Sequence, residues 1–426
     1  MAIDTPATIA ILGAGPIGLE AALYARFLGY EVTVYEKGRV ADHVRQWGHV
    51  TLFTPFHMNS SSLGRSAIET QAPDAPLPDS DAHLTGQQWV EEYLTRLTQV
   101  DLLRGNIREA TEVLAVGKEG FLKSELVSHE ERFEELQLVL ARNAAGEENW
   151  QQFDIVIDTT GTFGVPNHLG PGGLPAAGES SLNRDQLWAH QSPPLSFRLP
   201  DIESEHRNSF AGKHTLVLGA GYSAATNLSK LLKLQSKEGS TRITWAVRHS
   251  EATERDLVAR FPDDALPRRD QLASEVNQAA TDGRIQVLFN AQIKGLAPTD
   301  TGQWDVQFYD EAIEALQVDA ILANVGFQGD WEITEETQLH RCYASGGPMK
   351  WSATLVNSAT GDCLSKPNQA SENLLTTEPN FYVLGSKSHG RWSNFLFQNG
   401  LEQIRMLFSV IADRTNLNLY QTPLSS

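Results

Sequence analysis

The chain has 426 residues, enough for two domains or three, and its 41% apolar and 20% charged content reads as soluble and globular. A net charge of −19 speaks against nucleic acid or an anionic membrane as partner. Two cysteines, Cys342 and Cys363, make neither a disulfide framework nor a Cys-x-x-Cys pair, and no apolar run reaches the ~18 residues of a membrane span.

Residues 9–12 are an apolar run of the kind a buried parallel strand needs, and with that run so near the start no signal peptide is expected. With no disulfide framework in its two cysteines, the chain is expected in a reducing cytoplasm. The run ends in Gly13-Ala14-Gly15-Pro16-Ile17-Gly18, followed by a helical pattern over 18–28, a closing Gly29 and a second strand over 32–35. In such a turn the first glycine permits the bend and the second lets the backbone approach a pyrophosphate. The third lets the helix pack close to the strand. The pyrophosphate is then held by free N–H groups at the helix N-terminus. Glu36 ends the second strand, where a carboxylate accepts hydrogen bonds from ribose hydroxyls, and this favours FAD or NAD. Lys37 beside it and Trp47 further on are assigned to the same site.

Residues 40–110 hold a Ser/Pro-rich stretch and a helical pattern around 88–97, and read as an insertion after the second strand. The pattern alternates over 133–142 and is apolar again over 153–158. That run ends in Asp158-Thr159-Thr160-Gly161, a small-residue turn expected to pass close to the first dinucleotide, with Thr160 and Gly161 touching it. Residues 166–205, rich in Gly, Pro and Ser, read as a linker.

The plan then repeats. Residues 215–218 lead into Gly219-Ala220-Gly221-Tyr222-Ser223-Ala224, a helix, and a strand over 243–247. No acidic residue ends that strand; Arg248-His249 stands there. A guanidinium grips phosphate with a fork of N–H groups, so the second site favours NADPH over NADH. Further strands follow at 285–289 and 304–308, and Asp319 to Gly326-Phe327 matches Asp154 to Gly161 in pattern. A last strand at 381–385 leads through Lys387-Ser388-His389-Gly390-Arg391-Trp392 to Gln398-Asn399-Gly400 and a helix over 401–413. Gly385, Asn399 and Gly400 are expected to face the flavin, the helix dipole steadying its reduced anion.

The expected fold is α/β, with two Rossmann-like dinucleotide-binding domains. The FAD domain is discontinuous, 1–165 and 328–426, and the NADPH domain, 206–327, is inserted in it. Two nucleotides in one chain point to hydride passing from NADPH to FAD.

This order of motifs resembles the flavin-containing monooxygenases and the related N-hydroxylating and Baeyer–Villiger monooxygenases. Phe210-Ala211-Gly212-Lys213-His214 is similar to that family's lead-in to the NADPH turn. The resemblance implies oxygenation of a small amine or sulfur nucleophile by O2 through a C4a-hydroperoxyflavin. It also matches Asn59 to an amide near flavin and nicotinamide, and leaves His57 and His389 as candidate proton carriers. The family's Phe-x-Gly-x-x-x-His hallmark has no recognisable counterpart; Gly170-Pro171-Gly172-Gly173 occupies that region. Disulfide reductases are the second comparison, but they need a redox Cys pair and carry Gly-Asp where this chain has Gly385-Ser386. An FAD-dependent reductase or oxidase that uses another acceptor, or a nucleotide-binding sensor, stays open beside the monooxygenase. No metal is expected, and a homo-oligomer is compatible with the chain.

Overall fold

The computed structural model describes residues 3–127, 129–182, 194–251, 256–356, 364, 370–392 and 394–421; Cys363 and Ser393 lie outside them. The chain forms two compact units, Met1–Val165 with Phe327–Ser426, and Pro166–Gly326.

The first unit is built on a parallel sheet in the order Phe381–Val383, Ile155–Asp158, Thr8–Leu12, Glu31–Tyr35, Ile107–Arg108. Its central strands are Ile/Val-rich because both faces are covered. Ile9, Ile11, Val32 and Val34 point into a core shared with the helices. Ala10, Leu12, Tyr35 and Val156 point the other way, onto the antiparallel sheet of Glu112–Lys118, Gln137–Arg142 and Glu148–Phe153. Helix Pro16–Phe27 follows the first strand, with Pro16 in its first turn, where no N–H is missed.

Two expectations are sharpened here. The stretch 40–110, read as an insertion after the second strand, forms the crossover from that strand to its neighbour in the sheet. Its helical run Gly86–Trp89, Val90–Leu94 and Thr95–Leu97 buries Trp89, Val90, Tyr93, Leu94 and Leu97 in the main core. It then delivers Ile107–Arg108 alongside Glu31–Tyr35. The alternating pattern over 133–142 is a strand only from Gln137; Glu130–Phe133 is a 3-10 turn that leaves Phe133 exposed.

The second unit repeats the design. Its parallel sheet runs Gln286–Leu288, Arg242–Ala246, His214–Leu218, Ala320–Ala323, Leu195–Ser196. Helices Tyr222–Lys237 and Pro267–Thr281 pack on it around Val217, Leu228, Trp245 and Leu322. A three-stranded antiparallel sheet, Ile293–Pro298, Trp304–Phe308 and Leu316–Val318, completes the match. The stretch read as a linker, 166–205, belongs to this unit and supplies Leu195–Ser196 to the sheet edge, paired with Ile321 and Leu322.

The repeat reaches single hydrogen bonds. Thr8 N donates to Asp154 Oδ2 at 2.7 Å, and His214 N donates to Asp319 Oδ2 at 2.7 Å. In both units the aspartate just before one strand, Ile155–Asp158 or Ala320–Ala323, holds the first amide of the strand paired with it, Thr8–Leu12 or His214–Leu218.

Candidate functional site

The three glycines of the first turn are constrained in three different ways. Gly13 has φ +99, and a Cβ there would stand 3.0 Å from Thr159 O. A Cβ on Gly18 would stand 2.0 Å from Gly13 O, so helix and strand close on each other only through glycine. Around Gly15 nothing lies within 4 Å, and its φ of −76 suits any residue. No contact within the protein demands a glycine there. It caps helix Pro16–Phe27, whose first N–H groups have no partner within the helix, and a Cβ there would meet open space.

Glu36 closes the turn from the neighbouring strand. Its Oε2 accepts from Ala14 N at 2.9 Å and its Oε1 from Gly38 N at 2.8 Å. Burial pushes its carboxyl pKa up, and those two N–H groups work against the rise. Lys37 points into solvent. Trp47 packs on the Gly86–Trp89 helix, where a Cβ on Gly86 would stand 2.7 Å from its ring.

The second turn repeats the pattern. Gly219 has φ +104, and a Cβ there would stand 2.2 Å from Asn324 O. Around Gly221, which caps helix Tyr222–Lys237, nothing lies within 4 Å. Ala224, fully buried, takes the packing place that Gly18 has in the first unit. Trp245 Nε1 donates to Gly219 O at 2.6 Å and steadies the turn. Tyr222 OH donates to Ala259 O at 2.7 Å, and Ser223 is exposed. Arg248 is exposed just beyond the strand end, next to half-buried His249. Gly326, at φ +84, ends the matching turn beside the Asn167 amide.

Ile17 brings three distant parts of the first unit together. Cβ atoms built on Gly385 and Gly400 would stand 3.6 and 2.2 Å from it. Gly400 is thus required by close packing of helix Phe397–Ile411. Asn399 Oδ1 accepts from Leu396 N at 3.0 Å, so its side chain caps that helix. Phe327 stacks on Phe163 at 4.8 Å.

Sequence reasoning missed a buried network beside this junction. Lys387 and Asp158 are both completely buried, with Nζ 2.5 Å from Oδ2. Lys387 Nζ also reaches Thr160 Oγ1 at 3.0 Å and lies 4.6 Å from the Trp331 ring centre. Asp158 Oδ1 accepts from Thr160 N and Thr160 Oγ1. A basic residue in a polar loop reads as solvent-facing; its partners lie in distant segments, so nothing local marks it as buried.

The three candidate catalytic side chains differ in their surroundings. Asn59 is buried, and both its N–H groups are spent on the carbonyls of Thr54, at 2.9 Å, and Pro55, at 3.0 Å. Its Oδ1 accepts from Thr54 Oγ1, so the amide braces its own loop. The amide matched to one near flavin and nicotinamide thus has its hydrogen-bonding groups engaged within its own loop. His57 is exposed, with Nδ1 on Ser80 O and near Asp81. His389 is 2% exposed between Trp351 and Phe395, and burial pushes its pKa down to about 4, so near neutral pH it is an uncharged imidazole.

Among the described residues there is no metal-binding cluster and no helix long and apolar enough to cross a membrane. The profile of the pyridine nucleotide-disulphide oxidoreductase family matches residues 8–373. Among the curated proteins nothing matches. Solved structures share the fold. Bacillithiol disulfide reductase Bdr (YpdA) from Bacillus cereus has 17% identity and a TM-score of 0.68, over 96% of this chain and 100% of its own. DfoA, the cadaverine monooxygenase of desferrioxamine biosynthesis from Erwinia amylovora, solved with FAD, has 13% identity and a TM-score of 0.62, over 99% and 100%. Thioredoxin reductase from T. acidophilum has 15% identity and a TM-score of 0.56, over 96% and 99%. Identities this low establish a common fold alone.

Proposed function

The chain belongs to the pyridine nucleotide-disulphide oxidoreductase family, whose cofactors are FAD and NAD(P)H, and on that premise we propose that it is an NADPH-dependent FAD monooxygenase acting on a small amine or sulfur nucleophile. The observation that carries the cofactor pair is the matching open space at Gly15 and Gly221. In each unit a glycine is kept where no protein atom requires one, at a helix N-terminus, and that is the cradle a pyrophosphate needs.

In this reading the N–H groups of the first turn hold the FAD pyrophosphate and Glu36 holds the adenosine ribose. Thr160, Gly161 and Gly385 border the flavin end. The second turn holds NADPH, with Arg248 on the 2′-phosphate. Bound FAD supplies two-electron acceptance from reduced nicotinamide and electron delivery to an acceptor. The protein's share is to orient both nucleotides and to keep water from the reacting atoms.

Oxygen as acceptor is supported by two features. The two cysteines are not in Cys-x-x-Cys spacing, which speaks against the thiol relay of a disulfide reductase. The buried His389 is uncharged near neutral pH and so is no acid, and transfer to a soft nucleophile requires none. Against it stands Asn59, whose amide is already engaged; this favours the second reading, an FAD reductase or oxidase. Oxygen uptake driven by NADPH, with and without candidate amines and sulfides, separates the two. Substrate-stimulated uptake with oxygenated product supports the monooxygenase, and uptake returned wholly as peroxide replaces it with the oxidase.

A further inference from the structure

We propose that Lys387 is a positioning residue for the FAD site. Its buried pair with Asp158 holds two turns in one register, 158–161 and 385–388, and so presents Ser386 beside Gly161 to the bound cofactor. The proposal rests on the assignment of FAD to the first glycine turn.

The network leaves no group idle. Lys387 Nζ donates to Asp158 Oδ2 and Thr160 Oγ1, and its remaining side faces the Trp331 ring. Thr160 uses its N–H and hydroxyl on Asp158 Oδ1. The second turn is fixed from its other side as well. Gly385 N donates to Gln403 Oε1 at 2.8 Å, and Gln403 Nε2 donates to Ser388 Oγ at 2.7 Å. Ser388 Oγ in turn donates to Gly385 O. Between these anchors, Ser386 is the only residue of 381–390 that is not buried. Its hydroxyl lies 3.6 Å from where a Cβ on Gly161 would stand, and the preceding Gly385 lies against Ile17 of the first glycine turn.

A buried ion pair is a poor device for stability alone, because apolar residues of similar volume often serve as well or better. What it supplies is a unique arrangement, since each oxygen of Asp158 has its own partner. Here that arrangement joins the Thr160–Gly161 turn to the loop after the last strand, at the junction where Ile17 meets Gly385.

The test compares Lys387→Met with Lys387→Met/Asp158→Asn. The single variant leaves a buried carboxylate unpaired; the double removes both charges and keeps an acceptor for Thr160. The readouts are the thermal midpoint of the apoprotein, the FAD dissociation constant, and the visible circular dichroism of bound flavin. The single variant loses midpoint and FAD together. The double recovers the midpoint, yet binds FAD about tenfold more weakly than wild type, with an altered flavin band. Wild-type affinity and an unchanged band in the double overturn the proposal and leave Lys387 structural. Ser386→Val, at the accessible position, keeps the fold whatever the Lys387 variants do. Weaker FAD binding there supports the proposal, and unchanged binding overturns it. A wild-type protein that binds no FAD contradicts the cofactor assignment instead.

Discussion

Tyr93 OH donates a 2.5 Å hydrogen bond to Glu20 Oε1 where neither residue is exposed, and Glu20 Oε2 has no partner among the described residues. Glu20 lies on the helix that opens at the first glycine turn, and Tyr93 on the π-helical turn of the crossover. Burial pushes the Glu20 pKa from 4.5 up to about 7.

That shift has a definite sign. Between pH 4.5 and about 7 the folded protein keeps a proton that the unfolded chain releases, so this contribution is full below pH 4.5 and is lost as pH rises through about 7. The span is worth on the order of 3 kcal/mol. Glu20→Gln keeps the acceptor for Tyr93 and removes the titration. Urea unfolding at pH 5 and pH 8 should show a smaller stability loss in the variant than in wild type. Equal losses contradict the assignment.

Gly15→Ala and Gly221→Ala should fold. Both positions have backbone angles any residue adopts, and a Cβ at either meets nothing within 4 Å. Gly15→Ala should lose FAD at a nearly unchanged apoprotein midpoint. Gly221→Ala should keep FAD but be reduced poorly by NADPH. Gly18→Ala should destabilise the fold itself, since its Cβ stands 2.0 Å from Gly13 O. Calorimetry beside flavin content distinguishes these outcomes; unfolding of Gly15→Ala contradicts them.

The glycine turns, the flanking strands and the repeat were legible because each is written in consecutive residues with a fixed period. Glu36 was legible for the same reason, one strand away. Leu195–Ser196 was not, since a two-residue strand has no period and its partner is Ile321. The helical run of the crossover was legible as a pattern around 88–97, but the strand it delivers was not, since Ile107–Arg108 is only two residues long. The partners of Asn59 were not legible because they are carbonyls, which a sequence does not display.

Arg248→Ala should raise the Michaelis constant for NADPH about tenfold or more and leave that for NADH nearly unchanged, because only NADPH presents a 2′-phosphate to the guanidinium. Steady-state flavin reduction with both coenzymes measures this. Equal effects on the two show that the exposed side chain does something else.

Replacing Cys342 and Cys363 together with serine should leave NADPH-driven flavin reduction intact. Cys342 is buried, and its thiol pKa is lowered by the Ser345 hydroxyl and by backbone at Ser345. It has no second cysteine in redox spacing. Loss of flavin reduction in a folded, FAD-loaded double variant restores a thiol mechanism.

The most direct test of the central claim is the fate of labelled oxygen. The FAD-loaded protein is given NADPH, 18O2 and a panel of small amines and sulfides, and product label is measured against peroxide. The account predicts one labelled oxygen atom in the product for each NADPH consumed in coupled turnover, with little peroxide. Flavin that NADPH reduces but that returns every electron pair as peroxide, with no labelled product from any substrate, contradicts it.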